Sequence, residues 1–244
     1  MTAEAVVLRR MDSGENDRRL ILLTQEYGRI DVIAKGARKS GSRLAGSSEP
    51  LTRGRFTWAE GRFRRFVTQV EPSTSYPRLR ADYGSLMAAL AVAEVVSWAL
   101  PAESPSIEIY ELCLESFDHL SSEADPSVVL AWSLARALAI EGHSPSWTTC
   151  QDTGAKLAWT PAAFSASHGG LMQSPALSRF QDVIWIEAEV LVGLEMIGQL
   201  DAPPNKFKHD KKAVSVLISV WKNVLEHDLP TCQAFLREMK DSGE

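Results

Sequence analysis

The segment AKGARKSGSRLAGSS, residues 34–48, carries four cations and no acid. The cations are Lys35, Arg38, Lys39 and Arg43. A nucleic-acid backbone requires positive charge spread along its phosphates, so the segment is predicted to contact a polyanion. Glycines alternate here with serines, which disfavours both helix and strand and predicts a mobile loop.

A second group, GRFRRF at 61–66, interleaves arginines with aromatic rings. Unpaired bases stack on aromatic faces for about 1–3 kcal/mol each, with little regard to sequence. Phe66 and Trp58 are expected in an apolar core because most aromatic side chains are buried. Phe63, at a predicted hairpin tip, is the better stacking candidate. The predicted nucleic-acid contacts in this group are Arg62, Phe63, Arg64 and Arg65, and a broader version adds Arg18, Arg19, Arg53 and Arg55.

The charge of the chain is divided unevenly. All 244 residues together have a formal net charge of −5, yet residues 1–80 hold 16 Lys+Arg against 9 Asp+Glu. Residues 81–244 hold 10 against 22. Such asymmetry indicates a basic module joined to an acidic scaffold, the alternative being a basic surface that is merely solvated.

The basic part has the pattern of short strands separated by turn formers. Five strands with a basic loop predict a small barrel, and the OB-fold is the five-stranded barrel that most often holds nucleic acid. Periodicity leaves an SH3-like barrel open. On the last strand, alternation places Phe66, Thr68 and Val70 on one face, with Val67 and Gln69 on the other. The predicted strands are 5–10, 18–24, 28–36, 54–60 and 64–71.

The pattern becomes helical after Pro77. Residues 144–174 are irregular and rich in proline and glycine, which predicts a loop-rich insert. We therefore predict an α+β chain with an OB-fold domain over 1–80 and a helical domain over 81–244, interrupted by the insert at 144–174. The predicted helices are 82–100, 106–120, 126–142, 175–200, 211–226 and 230–240.

Three widely spaced cysteines, Cys113, Cys150 and Cys232, suit a reducing compartment. The sequence shows neither a signal-peptide pattern nor an apolar run long enough to span a membrane, so a cytoplasmic, nucleoid-associated protein is predicted. No catalytic signature surrounds Cys150 with His143 or His168, and the glycine-rich run lacks P-loop spacing. The protein is predicted not to be an enzyme.

Several stretches resemble the RecO family of recombination mediators. The similarity covers GENDRRLILLTQEYGRIDVIAKGARKSGSRLAG (14–46), SYPRLRADY (75–83), LARALAIEGHSPSWTTCQDTG (134–154) and SHGG (167–170). The resemblance implies an OB-fold, a helical domain and a zinc-ribbon-like insert. It also implies binding of single- and double-stranded DNA, annealing of complementary strands, and cooperation with RecR in loading RecA onto strands coated by single-stranded DNA-binding protein.

The insert departs from the four-cysteine pattern of that family. Cys150 stands where the first ligand is expected, Thr153 occupies the second position, and LMQSPA follows Gly170. A structural zinc site needs four ligands, and His168 is the other soft ligand nearby. We predict no cofactor, with the insert held by packing of Trp147, Trp159 and Phe164.

Two further interpretations remain open from the sequence. Lys206, Lys208, Lys211 and Lys212 form the cationic cluster of the second part, and are a weak candidate for binding the acidic C-terminal tail of single-stranded DNA-binding protein; a plain linker is the alternative. A sequence-tolerant RNA-binding barrel outside repair is the alternative function, because stacking and phosphate contacts serve both nucleic acids.

Overall fold

The computed structural model describes residues 1–157, 160–172 and 180–241, the side chains of Lys240 and Asp241 excepted. These residues form two compact units, Met1–Ser122 and Glu123–Glu244. The boundary predicted after residue 80 thus lies inside the first unit, a few residues after the last barrel strand ends at Thr74. The functional division into domains stays a prediction.

Five strands close a barrel in the order β1-β2-β3-β5-β4. β1 pairs antiparallel with both β2 and β4, and β3 closes the barrel by pairing parallel to β5. This strand order confirms the OB-fold and excludes the SH3-like alternative. The strands are β1 (Thr2–Ser13), β2 (Asp17–Thr24), β3 (Gly28–Ala34), β4 (Arg53–Glu60) and β5 (Arg65–Thr74).

Inward-facing residues of all five strands fill the barrel. Phe56 is completely buried and Trp58 is 2% exposed, and Tyr27 meets the Trp58 ring edge-on at a centroid distance of 5.4 Å. Trp58 therefore lies in the core, as expected. Burying side chains of this size is the main stabilising contribution to so small a barrel.

The predicted faces of β5 are wrong. The pairing of β4 with β5 shifts register between Thr57 and Trp58, so the strict alternation of β5 is broken at Thr68. Val67 is buried and Val70 packs against the same core, whereas Phe66 is half-buried outside it. A bulge inserts one extra residue and redirects the side chains that follow it, which alternation alone does not predict.

The cationic segment is also more ordered than expected, because its second part forms a short helix, α1 (Leu44–Ser47). Arg18 donates to the Ala45 carbonyl at 2.9 Å and to the Ser48 hydroxyl at 2.6 Å, which ties this helix to β2. Gly36 and Gly41 have φ values of 66° and 72°, the left-handed region that glycine enters without strain.

Three helices complete the first unit: α2 (Pro77–Ala81), α3 (Tyr83–Ala99) and α4 (Ile107–Leu120). The predicted cap at Ser106 is confirmed, since its hydroxyl accepts from the Ile109 amide at 3.3 Å. The loop between α3 and α4 lies against β3, where the Glu103 amide donates to the Arg29 carbonyl at 2.9 Å. A Cβ on Gly28 would lie 2.3 Å from the Ser104 oxygen, so only glycine permits this approach.

The second unit contains α5 (Pro126–Ile140), α6 (Ala188–Ile197), α7 (Asp210–Leu225) and α8 (Pro230–Asp241). The insert is longer than the predicted 144–174, because its small sheet includes a strand beyond residue 174, and we use the name for residues 144–187 from here on. The sheet consists of β6 (Ala162–Ser165), β7 (Gly170–Met172) and β8 (Ile184–Ile186), with β6 in the centre. The helix predicted over 175–200 is therefore wrong at 180–187, because α6 begins only at Ala188, and residues 175–179 lie outside the described part. In the described ranges no helix has the length and apolarity that crossing a bilayer requires.

Candidate nucleic-acid interface

The barrel topology places the predicted contacts around one face of the barrel. β1 ends and β2 begins beside the end of β3, as the pairs Ser13–Asp17 and Arg18–Ala34 show. β5 begins beside the end of β3, at the pair Val32–Arg65, whereas β4 ends beside the start of β1, past the pair Thr2–Thr57. The β1–β2 turn and the β4–β5 turn therefore lie toward opposite ends of β1, and together with the segment 35–43 they border one face; we call these three connections the rim. The two basic groups of the sequence thus border the same face.

Direct contacts join the basic segment to its neighbours on this rim. The Arg38 amide donates to the Asn16 carbonyl at 2.9 Å, and the Gly36 amide donates to the Asp17 carboxylate at 2.8 Å. Asp17 therefore fixes a loop. On the other side of the segment, the Lys35 ammonium lies 4.4 Å from the centroid of the Phe66 ring.

A groove of about 630 Å³ opens beside the rim. Its walls come from the end of β1, the outer faces of β2 and β3, and the β4–β5 turn. In OB-folds this face and these turns form the usual surface for oligonucleotides. The lining residues are Met11, Asp12, Ser13, Arg19, Asp31, Val32, Ile33, Phe63, Arg64 and Arg65.

The β4–β5 turn presents Phe63 to solvent, with 85% of the residue exposed. The Gly61 amide closes the turn by donating to the Arg64 carbonyl at 2.8 Å, and a Cβ on Gly61 would lie 2.7 Å from that oxygen. The Arg62 guanidinium lies 5.0 Å from the Phe63 ring centroid. An exposed ring beside a cation has the chemistry that base stacking uses.

The cations of the rim fall into two groups by their partners. Arg38 lies 3.3 Å from Asp12, and Arg65 pairs with Glu60 at 2.8 Å and Glu103 at 3.0 Å. The hydrogen bond from Arg65 to Glu60 raises the pKa of Arg65. In the described ranges, no ion pair forms at the second group, which consists of Lys35, Lys39, Arg43, Arg62 and Arg64.

Arg65 thus differs from the other predicted contacts. Its charge is balanced by two carboxylates and its side chain is 22% exposed, so its main role in this structure is to tie β5 to Glu60 and Glu103. The three cations of the basic segment that lack an ion pair in the described ranges, Lys35, Lys39 and Arg43, and the two arginines beside Phe63 retain the properties that a phosphate track requires.

Arg19 belongs to the broader set of predicted contacts, but its pairing with Asp31 was not predicted from the sequence. Arg19 Nε donates to Asp31 Oδ1 at 3.1 Å, and Arg19 Nη2 lies 3.1 Å from Asp31 Oδ2. This two-pronged contact raises the pKa of Arg19, chiefly through the side-chain hydrogen bond to Asp31 and then through the negative charge of Asp31. Alternation along β2 and β3 places both side chains outward and could have identified them.

The insert offers a poor donor set for zinc. Cys150 is buried, and His168 Nε2 lies 2.9 Å from Asp152 Oδ1. Within the described ranges, no cluster of three or more His, Cys, Asp or Glu side chains could hold a metal. Residues 173–179 contain neither cysteine nor histidine. These residues do not fit the four-ligand site of the family pattern.

Polar contacts join parts of the insert. Asp182 accepts from the Ser165 hydroxyl at 2.7 Å and from the Ser167 amide at 2.9 Å. Partial burial alone would raise the pKa of Asp182, but these hydrogen bonds outweigh it and the pKa is lowered. Trp147 and Phe164 pack at a centroid distance of 5.2 Å, whereas Trp159 lies outside the described residues.

The lysine cluster of the second unit precedes α7 and enters its first turn. Lys206, Lys208 and Lys211 are exposed and Lys212 is half-buried. The Lys211 ammonium donates to the Met239 carbonyl at 2.9 Å, so one of the four is engaged within its own unit. Binding of an acidic tail here stays a prediction.

The chain has a closed five-stranded barrel with a basic rim, and helices follow the barrel. These features define the class of multidomain OB-fold proteins. Two family models match the chain: Recombination protein O N terminal over residues 1–76 and Recombination protein O C terminal over residues 80–217. The chain belongs to the RecO family of DNA repair proteins.

Individual relatives agree with this assignment. The chain is 32% identical over 173 residues to the DNA repair protein RecO of Exiguobacterium sibiricum, which covers 70% of this chain and 68% of the relative. It is 33% identical over 203 residues to that of Heliobacterium modesticaldum, covering 82% and 74%. It is 30% identical over 248 residues to that of a Roseiflexus species, covering 97% and 85%.

Proposed function

We propose that this protein is a non-catalytic recombination mediator that binds DNA along the barrel rim and anneals complementary strands. One observation carries the proposal. The rim of the OB-fold holds one exposed aromatic ring and five cations, and in the described ranges none of these cations has a carboxylate partner. Family membership supplies the repair context. RNA binding is not favoured as an alternative, because the curated relatives are DNA repair proteins.

Annealing has an electrostatic cost that this rim would lower. Two single strands repel each other through their phosphates, and cations placed along one strand release its counterions and reduce that repulsion. Contacts limited to phosphate and one stacked base leave most base edges available for pairing. Both single- and double-stranded DNA carry the phosphates that such a surface binds.

The proposed partners follow from the family rather than from contacts in this chain. We propose that RecR acts with this protein on strands coated by single-stranded DNA-binding protein, whose acidic tail is bound here, and that RecA is then loaded. Lys206 and Lys208 are exposed, whereas Lys212 is half-buried and Lys211 is bonded to the Met239 carbonyl, so the first two are the tail contacts to test. Charge reversal at both should weaken binding of the isolated tail peptide and leave oligonucleotide binding unchanged.

Lys39→Glu combined with Arg43→Glu tests the rim. Both side chains are exposed, so reversal should leave the fold intact, whereas Lys35 contacts Phe66 and Arg38 contacts Asp12. Affinity for a fluorescent single strand should fall at least tenfold at low salt. The slope of log K against log salt should become shallower by roughly 0.7 for each phosphate that the variant no longer neutralises.

The matched control reverses the same number of cations that do not belong to the rim, with Arg78→Glu and Lys156→Glu, both exposed. Annealing of complementary oligonucleotides should slow only in the rim variant. Equal binding and annealing by the rim variant and wild type would contradict the proposed function.

A further inference from the structure

The Arg19–Asp31 pair has a geometry suited to a base rather than to a phosphate. Asp31 engages the Nε and Nη2 edge of the guanidinium, with both contacts at 3.1 Å. A guanidinium carries five N–H donors in a fixed plane, so the Nη1 and Nη2 edge keeps donors for a second two-pronged contact. Both side chains line the groove and are partly exposed, at 52% and 39%.

The charge of this pair separates it from the rim cations. A phosphate gains little from an arginine whose charge is already balanced by a carboxylate, and displacing Asp31 would add a further cost. A neutral base does not require an unbalanced positive charge, because it offers hydrogen-bond acceptors without a formal charge. The carboxylate also fixes the plane of the guanidinium before any ligand arrives, which reduces the entropy lost on binding.

The acceptor pattern that fits the remaining edge is that of guanine. Guanine presents O6 and N7 side by side, and an arginine fork bound to these two atoms is the commonest specific contact between proteins and bases. Adenine replaces O6 with a donor, and thymine has no ring nitrogen that accepts a hydrogen bond, so neither offers two adjacent acceptors. Unpaired cytosine offers O2 and N3, so the test uses strands of thymine and guanine alone. Phe63 and Arg64 line the same groove, where a neighbouring base would stack.

We propose that Arg19, oriented by Asp31, reads guanine in a single strand lying in the groove. Arg19 is the specificity-determining residue and Asp31 is its positioning residue. The proposal rests on the proposed function, since it requires a strand on this face of the barrel. It adds a base preference to a surface whose rim cations bind irrespective of sequence.

Two oligonucleotides that differ in a single ring atom test the proposal. One is a thymine strand with scattered guanines, and the other carries 7-deazaguanine at the same positions, which removes the N7 acceptor. Wild type should bind the guanine strand about fivefold more tightly, at the lower end of what a two-pronged arginine–guanine contact contributes. The preference should disappear in Arg19→Gln and in Arg19→Lys, which keeps the charge but lacks the fork.

Further readouts separate specificity from general structure. Asp31→Asn should reduce the preference by misorienting Arg19, and Arg19→Gln should leave the salt slope unchanged because the number of neutralised phosphates stays the same. The matched control is Arg55→Gln, which breaks another exposed cross-strand pair, 3.7 Å from Glu4. This control should retain the full guanine preference.

The outcomes distinguish the two proposals. Wild type that binds neither strand contradicts the proposed function. Wild type that binds both strands equally, or Arg19→Gln that keeps the preference, overturns the guanine proposal and leaves the proposed function standing. A shallower salt slope in Arg19→Gln would reassign Arg19 to phosphate binding and would likewise overturn it.

Discussion

The barrel and the sheet of the insert are both small β-structures, but they are stabilised differently. The barrel closes on itself and buries large side chains such as Phe56 and Trp58. The insert has strands of only three or four residues, and Asp182 and the ring contact between Trp147 and Phe164 hold it. Because the apolar core stabilises the barrel, the polar side chains of its rim are available to bind a ligand. In the insert, by contrast, polar side chains such as Asp182 take part in stabilising the fold.

The largest expected effect is on the core of the barrel. Trp58→Ala should lower the free energy of unfolding by about 3–5 kcal/mol, the usual cost of truncating a buried large aromatic side chain. Phe63→Ala, 85% exposed, should stay within about 0.5 kcal/mol of wild type and yet weaken binding of single strands. Denaturant titration and fluorescence anisotropy measure the two quantities, and a strongly destabilised Phe63→Ala would break the distinction between rim and core.

A smaller effect is expected in the insert. Asp182→Asn weakens hydrogen bonds from two serines to an ionised carboxylate, and should destabilise the insert by about 1–2 kcal/mol. Hydrogen exchange of β6 and β7 should accelerate, with rim binding unchanged. Asp201→Asn is the control, because its carboxylate is fully exposed and lies 3.8 Å from Arg136. Exchange that rises equally in both variants would contradict the role of Asp182.

Alkaline pH should act on the first unit through Tyr76. Burial, followed by the charge of Asp118, raises its pKa from 10.0 to about 12. The folded state therefore holds the neutral phenol more firmly than the unfolded state, so this stabilisation is complete below pH 10 and is lost as the pH rises toward 12. The melting temperature of Tyr76→Phe should fall less than that of wild type over this interval. Parallel curves would exclude Tyr76 as the source.

The smallest expected effect is that of metal removal. Treatment with a strong chelator should leave the melting temperature and the exchange rates of the insert unchanged, because the described part of the insert lacks the donor set of a structural zinc site. Metal analysis of the purified protein should find less than stoichiometric zinc. One zinc per chain would overturn the prediction and would make the insert, like the barrel, a region with a single dominant source of stability.

Local patterns predicted the elements well where one signal dominated. Alternation and turn formers located all five barrel strands, and Ser106 marked the start of α4. The run at 184–186 was wrongly predicted as helix because a short apolar stretch fits a strand and a helix equally well. Its strand character depends on pairing with β6, a contact between distant parts of the chain.

For the candidate site, too, the sequence predicts the features that depend on local patterns and not those that depend on distant contacts. The cations of the rim and the exposure of Phe63 could be inferred from composition and a turn. The neutralisation of Arg65 could not, because Glu103 is distant in the sequence and approaches only through the loop between α3 and α4. The position of the bulge in β5 could not be predicted either, because it depends on the register in which β5 pairs with β4.

The close approach at Gly28 has a mechanical consequence for the first unit. The backbone of Ser104 and Pro105 occupies the space that any larger residue would need, and the adjacent Arg29 donates to the Ser97 carbonyl at 2.7 Å. The third strand is thus held directly against the end of α3 and the loop that follows it. Any side chain at position 28 would force these two parts of the first unit apart, so a single glycine sets their spacing.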